Sequence, residues 1–199
     1  MDYLIGSSTV GELYFVPYNE FVMICGATIT ETLKARIFAC AARVNALYMI
    51  ARAGSGHIGS SFSCLDIVCW LHLNEMNEGD IFFSSKGHDA PAFYSVMAGL
   101  GCLEFDLIHA LRRKAGLPGH PDTSVSACVT NTGSLGMGIS KAKGLIFANQ
   151  KRGISGRVFV MTGDGELQEG QIWESLISAV NHKLGNLFVI VDHNKLQSD

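Results

Sequence analysis

Two short stretches carry residue types that could bind a phosphate and a metal. Gly163-Asp164-Gly165 follows the apolar run Val158-Phe159-Val160-Met161. Asp192-His193-Asn194 follows a second apolar run, Leu187 to Val191. A carboxylate and an amide oxygen are hard ligands, suited to Mg2+ or Ca2+. Mg2+ takes few protein ligands and completes its octahedron with phosphate oxygens and water. Glycines flanking the aspartate let backbone approach a phosphate closely. Taken alone, Gly-Asp-Gly is also the sequence of a tight turn with a helix-capping aspartate.

The elements around these stretches decide where they point. Between the two runs, Ile172, Leu176, Ile177 and Val180 recur at helical spacing as one face, and Gly185-Asn186 stops the pattern. Strand, helix, strand predicts a βαβ unit with a parallel pair. Ligands of open α/β sheets bind at the carboxyl ends of the strands. Asp164 and Asn194 are therefore expected at one sheet edge. Three histidines lie in separate glycine-bearing segments: Gly56-His57-Ile58-Gly59, Gly87-His88-Asp89 and Gly119-His120-Pro121-Asp122. An imidazole can donate or accept a proton near neutral pH. One such histidine would be an ordinary turn residue, whereas three are harder to explain by packing.

Elsewhere the spacing predicts a helix over Glu31–Ala53, with Leu33, Ile37, Cys40, Ala41, Val44, Leu47 and Tyr48 as its apolar pattern. Thr30 is its expected N-cap and Gly54 its stop. Ser63–Leu73 reads as an apolar helix containing a structural His72, and Asp80–Ser85 as a buried strand. Asp89 is the expected N-cap of a helix over Pro91–Leu100, with Pro91 at its first position. Phe105–Lys114 reads as a helix whose Arg112, Arg113 and Lys114 complement its dipole. Asn131–Gly138 opens a long helix reaching Gln150, and its glycines suggest close packing on a ligand or backbone. Leu13–Val16 and Phe21–Cys25 read as short strands or an arm. The expected organisation is an N-terminal arm, residues 1–30, and one α/β domain over residues 31–199.

Composition narrows the function classes. A net charge of −3 gives no electrostatic case for nucleic acid. No apolar run reaches membrane-spanning length, and no signal peptide is evident. Hydrophobic residues make up 48% and charged residues 17%, which is apolar for a soluble monomer and predicts surface buried against a partner. Six cysteines form no Cys-x-x-Cys pair and read as small core hydrophobes of a cytoplasmic, reducing setting.

Six blocks, taken in order, resemble the amino-terminal domain of transketolases: SGHIG, SKGHDAPAFY, GHPD, NTGSLGMG, GDGELQEGQIWES and NHKLGNLFVIVDHNK. Gly-Asp-Gly with a later asparagine is similar to the thiamine-diphosphate fingerprint of the wider family. Ile58 and Ser134 stand where that family has proline, Met137 where it has glutamine, and His193 where many members have asparagine. The resemblance runs from about residue 31 to 199. It implies a thiamine-diphosphate-binding fold, a mostly parallel sheet with helices on both faces, and a transferase moving a two-carbon ketol unit between sugar phosphates. It implies that Asp164, Asn194 and the Leu196 carbonyl hold Mg2+ or Ca2+. Gly163, Gly165 and His88 would contact the cofactor's diphosphate, and Gly133 and Leu135 its rings. His57 and His120 would serve the substrate, with His57 also at the cofactor. Glu169 resembles a glutamate at the family's dimer interface; without that role it is a carboxylate favoured by a helix start. The activating glutamate of the family comes from a pyrimidine-binding domain and is not in these residues. A pyrimidine-domain subunit or segment is thus the expected partner, in a homodimer or heterotetramer. The chain would be either one subunit of a split enzyme or part of a longer product truncated within its first domain. Two other functions stay open: an α-subunit of a two-component 2-oxo acid enzyme, and a non-catalytic partner-binding domain.

Overall fold

The computed structural model describes residues 8–10 and 13–195. They form two compact units interleaved along the chain. The first takes the described residues up to Glu75, with His88–His120 and Val125–Ala127. The second takes Met76–Gly87, Pro121–Ser124 and the chain from Cys128 onward.

The first unit is mainly helical. Strands β1 (Ser8–Val10) and β2 (Leu13–Phe15) pair antiparallel. Helices α1 (Tyr18–Gly26), α2 (Glu31–Ala53), α3 (Ile58–Trp70) and α4 (Ala90–Gly99) follow. Phe21–Cys25 is thus helical and not a strand. Phe21 and Ile24 are buried one turn apart, and the Phe21 ring meets Phe38 edge-on at 4.9 Å.

Helix α2 begins at Thr30, whose hydroxyl accepts the Leu33 N–H, and ends at Gly54 in the left-handed region at φ 70°. It packs against α1, α3 and α4. Those neighbours cover its small side chains: Ala35, Ala39, Ala41, Ala42 and Ala46 are buried, beside Phe38 and Tyr48. Of the predicted pattern Ala41 and Tyr48 are buried, but Leu33, Cys40, Val44 and Leu47 are exposed. Alanines let helix axes approach closely, so the partners took that face and left the larger residues outside. Buried Asn45 accepts the Val16 N–H at 2.7 Å and donates to the Val16 carbonyl at 2.9 Å. Both bonds are needed for an amide to be tolerated in that position.

Three other expectations change in this unit. Helix α3 starts at Ile58, before Ser63, and runs into a π-helical turn, Leu71–Glu75. His72 lies there bonded to the Val68 carbonyl at 2.9 Å, and burial lowers its pKa. The helix predicted over Phe105–Lys114 is a 3-10 turn ending at Ala110. Leu111 then bridges to Leu117, and Arg112 turns left-handed at φ 57°, its N–H donating to the Leu117 carbonyl at 2.7 Å. The basic residues sit on this loop and cannot complement a helix dipole. Cys64 and Cys69 are buried as expected, whereas Cys40 and Cys102 are exposed.

The second unit is built on a parallel sheet in the order β3-β4-β5, from β3 (Ile81–Ser84), β4 (Val158–Gly163) and β5 (Leu187–Asp192). Helices α5 (Gly138–Arg152) and α6 (Gly170–Asn181) complete it. Phe83, Val160 and Val189 lie side by side across the strands. The core joins Phe83, Val158 and Val160 to Ile139, Ala142 and Ile146 of α5 and Ile172 and Ala179 of α6. The fold is therefore α/β with a parallel sheet and flanking helices, as expected. On α6 the predicted face is corrected: Ile172 is buried, but Ile177 and Val180 are 64% and 75% exposed. The covered stripe is Ile172, Ser175 and Ala179, and the helix carries a second apolar stripe that its own unit leaves bare. It ends at Asn181, before Gly185-Asn186, because Lys183 adopts φ 54°.

Candidate active site

The strand register brings the residues that follow β4 and β5, Asp164 and Asn194 among them, to one edge. Gly163 at the end of β4 pairs with Asp192 at the end of β5. Just beyond, Asp164 donates its N–H to the Asp192 carbonyl at 3.3 Å. Its Oδ1 accepts the Gly165 N–H at 3.0 Å, and its Oδ2 accepts the Lys195 N–H at 2.8 Å. Lys195 is left-handed at φ 60°, so the chain turns back to Asp164 directly after Asn194. The His193 ring reaches 3.9 Å from the same Oδ2.

This donor set suits a hard cation. Each Asp164 oxygen accepts one backbone N–H and keeps a lone pair for a metal. Among the described residues no group of three His, Cys, Asp or Glu side chains converges as a metal cluster. A site of one carboxylate and one amide would leave most positions to phosphate oxygens and water, as Mg2+ prefers. Leu196, the third expected ligand, lies outside the described residues. Gly133 at φ 95° and Leu135, 46% exposed, lie in the segment before α5. Glu169 is exposed at the N-cap of α6 and makes no capping bond with its side chain.

Behind this edge lie charges that sequence reading missed. Lys86 Nζ meets Asp192 Oδ2 at 2.7 Å, with side chains 2% and 5% exposed. Buried Glu166 accepts bonds from the backbone of both glycine segments. A local signal existed: Asp192 ends the apolar run of β5 and Lys86 comes two residues after β3, where a charge must find a partner or face a ligand.

In the first unit the three histidines gather in part. His57 is the N-cap residue of α3, and its ring lies 5.0 Å from that of His88. Partial burial lowers the pKa of His120, and the nearby Arg112 and His57 lower it further, against an opposing pull from Asp89. Arg112 was expected at a helix end; instead its guanidinium packs on Gly119, where a Cβ would come within 2.8 Å of Cζ. Asp89 is at the N-cap position of α4, but its carboxylate accepts from Cys64 Sγ at 3.6 Å and does not cap the helix. Neutral His120 can accept a proton, and the His57–His88 pair offers two more imidazoles.

The fold is that of the α/β proteins whose ligands bind at the carboxyl ends of a parallel sheet. Sequence comparison narrows that class. A family model described as the transketolase, thiamine diphosphate binding domain matches residues 34–199, and the chain belongs to that family. An apulose-4-phosphate transketolase subunit from Actinobacillus succinogenes is 39% identical over 153 residues, covering 71% of this chain and 55% of that protein. Human transketolase is 37% identical over 169 residues, covering 79% of this chain and 27% of that protein. The solved transketolase from Leishmania mexicana superposes with a TM-score of 0.70 at 26% identity, over 83% of this chain and 27% of that one. The chain thus spans about half the length of the first relative and about a quarter of the other two.

Proposed function

We propose that this chain is the diphosphate-binding part of a transketolase-like transferase that moves a two-carbon ketol unit between sugar phosphates. One observation carries the reading: within the family-matched region, the Lys195–Asp164 bond brings the Asn194 turn back to the Asp164 carboxylate at the strand ends. Asp164, Asn194 and the Leu196 carbonyl would hold Mg2+ or Ca2+. Gly163, Gly165 and His88 would bound the diphosphate, with Gly163 contributing close approach, since its N–H faces Glu166. Gly133 and Leu135 would lie against the cofactor rings. Bound thiamine diphosphate supplies the carbon nucleophile and the electron sink. His120, held neutral, would take a proton from a substrate hydroxyl on a ring nitrogen, and His57 would hydrogen-bond the sugar and the cofactor.

Activity would need a pyrimidine-domain subunit or segment to bring the activating glutamate, in a homodimer or heterotetramer. Glu169 is assigned to that contact. The bare stripe of α6 beside it supports a partner, with Trp173 56%, Ile177 64% and Val180 75% exposed. All six cysteines are thiols, which supports a cytoplasmic setting, and no described helix is long and apolar enough to cross a membrane.

Calorimetry of the chain with thiamine diphosphate, with and without Mg2+, tests the site. Metal-dependent binding is expected. Assays of the chain with its pyrimidine-domain partner on ketose phosphates and on 2-oxo acids test the reaction. Turnover of 2-oxo acids alone would move the assignment to a two-component 2-oxo acid enzyme. Absence of cofactor binding by both chain and complex would overturn it.

A further inference from the structure

One buried carboxylate gathers three segments that are remote in sequence. Glu166 is 3% exposed, on the 3-10 turn Gly165–Gln168 directly after Asp164. Its Oε1 accepts the Gly136 N–H at 2.7 Å and the Ser85 hydroxyl. Its Oε2 accepts the Gly163 N–H at 3.2 Å. Ser85 Oγ accepts the Gly138 N–H at 3.1 Å, so the chain of bonds runs from β3 through the glycine segment to the end of β4. A carboxylate is costly to bury unless hydrogen-bonded, and bonds to it are stronger than neutral ones.

The glycines are shaped to this arrangement. A Cβ on Gly138 would lie 2.3 Å from Ser85 Oγ, and one on Gly136, at φ 81°, would lie 2.9 Å from Glu169 Cβ. The N–H groups of Gly136 and Gly163 therefore serve the protein's own carboxylate and are not directed at a ligand phosphate.

We propose that Glu166 is the positioning residue of the strand-end site, holding the Gly163-Asp164-Gly165 turn and the Gly133–Gly138 segment in their working geometry before any ligand arrives. Asp164 sits between Gly163, which Glu166 grips, and the turn that carries Glu166, so the metal-facing carboxylate is set by this contact. Preformed geometry removes an ordering cost from binding. The identity of the ligand rests on the thiamine-diphosphate reading; the contacts do not.

The test is Glu166→Gln in the full chain, read by residue-resolved amide hydrogen exchange without ligand and by calorimetry with thiamine diphosphate and Mg2+. Glutamine keeps Oε1 for Gly136 and Ser85 but turns an NH2 toward the Gly163 N–H. The Gly163 amide should exchange at least roughly tenfold faster while Gly136 stays protected, and cofactor affinity should fall by roughly 10- to 100-fold. Equal loss of protection at both amides means general loosening and overturns the positioning role. So does unchanged protection with unchanged affinity. If the variant fails to fold, Ser85→Ala takes its place. It should speed Gly138 exchange and weaken cofactor binding, and no change in either overturns the role. A parent that binds no thiamine diphosphate either alone or with its partner counts against the proposed function, and the Gly163 exchange difference still decides whether Glu166 holds the turn.

Discussion

In the sheet unit, the groups at the strand ends are locked from behind. Lys86 and Asp192 form a pair with side chains 2% and 5% exposed, and Glu166 and Asp164 each accept two backbone N–H groups. In the helical unit, His57 and His120 are exposed on loops, and the contacts that organise them are a ring pair and a nearby guanidinium. The two arrangements suit different chemistry. A hard cation with few protein ligands needs its carboxylate fixed. A proton-handling imidazole needs access to water or substrate, and loops on a rigid scaffold supply that.

The sharpest way to break this contrast is to remove a locking charge. Lys86→Met should leave the buried Asp192 carboxylate without its ammonium and cost about 3–5 kcal/mol, measured by denaturant unfolding. His57→Ala should stay within about 0.5 kcal/mol of the parent in the same measurement. Equal losses would show that both regions are held alike.

The two apolar stripes of α6 provide the next comparison. Ile172→Ala should cost about 2–5 kcal/mol, and Ile177→Ala of the isolated chain about 0.5 kcal/mol or less. If Ile177 proved as costly as Ile172, the bare stripe would be covered within the chain.

For the strand-end site itself, Asp164→Ala should weaken Mg2+-dependent thiamine diphosphate binding by roughly 100-fold in a chain that still folds, with a lowered unfolding midpoint because the Gly165 and Lys195 N–H groups lose their acceptor. Calorimetry showing parent-like affinity would exclude Asp164 as the metal ligand. Its counterpart in the helical unit is the His88→Ala and His120→Ala pair. In the reconstituted enzyme, the first should raise the cofactor requirement and the second should impair use of the sugar. Identical effects on both titrations would remove the division of roles.

The smallest effect expected is electrostatic. Arg112→Asn, which tolerates the left-handed backbone, should move the His120 titration upward in an NMR pH series. In the parent, the lowered His120 pKa means the unfolded chain takes up that proton first as pH falls. The associated stability is therefore complete above the ordinary histidine value near ~6.5 and declines below it, and the decline should be shallower in Arg112→Asn. An unshifted His120 would separate Arg112 from the histidine group.

What the sequence determined by itself was local. Strands β4 and β5 were legible because parallel strands read as unbroken apolar runs, and Gly163-Asp164-Gly165 and Asn194 sit where those runs end. The caps of α2 were legible for the same reason, since Thr30 and Gly54 act on backbone within a turn. The covered faces were not. Both α2 and α6 carry apolar residues around more than one stripe, and spacing cannot say which stripe a neighbour will take. On α2 the neighbours took the alanines, and on α6 they took Ile172 and Ala179. The buried charges were decided only in three dimensions. Lys86 and Asp192 are 106 positions apart, and Ser85 and Glu166 are 81 apart. A charged side chain looks like surface until folding places its partner beside it, because the partner alone makes its burial tolerable.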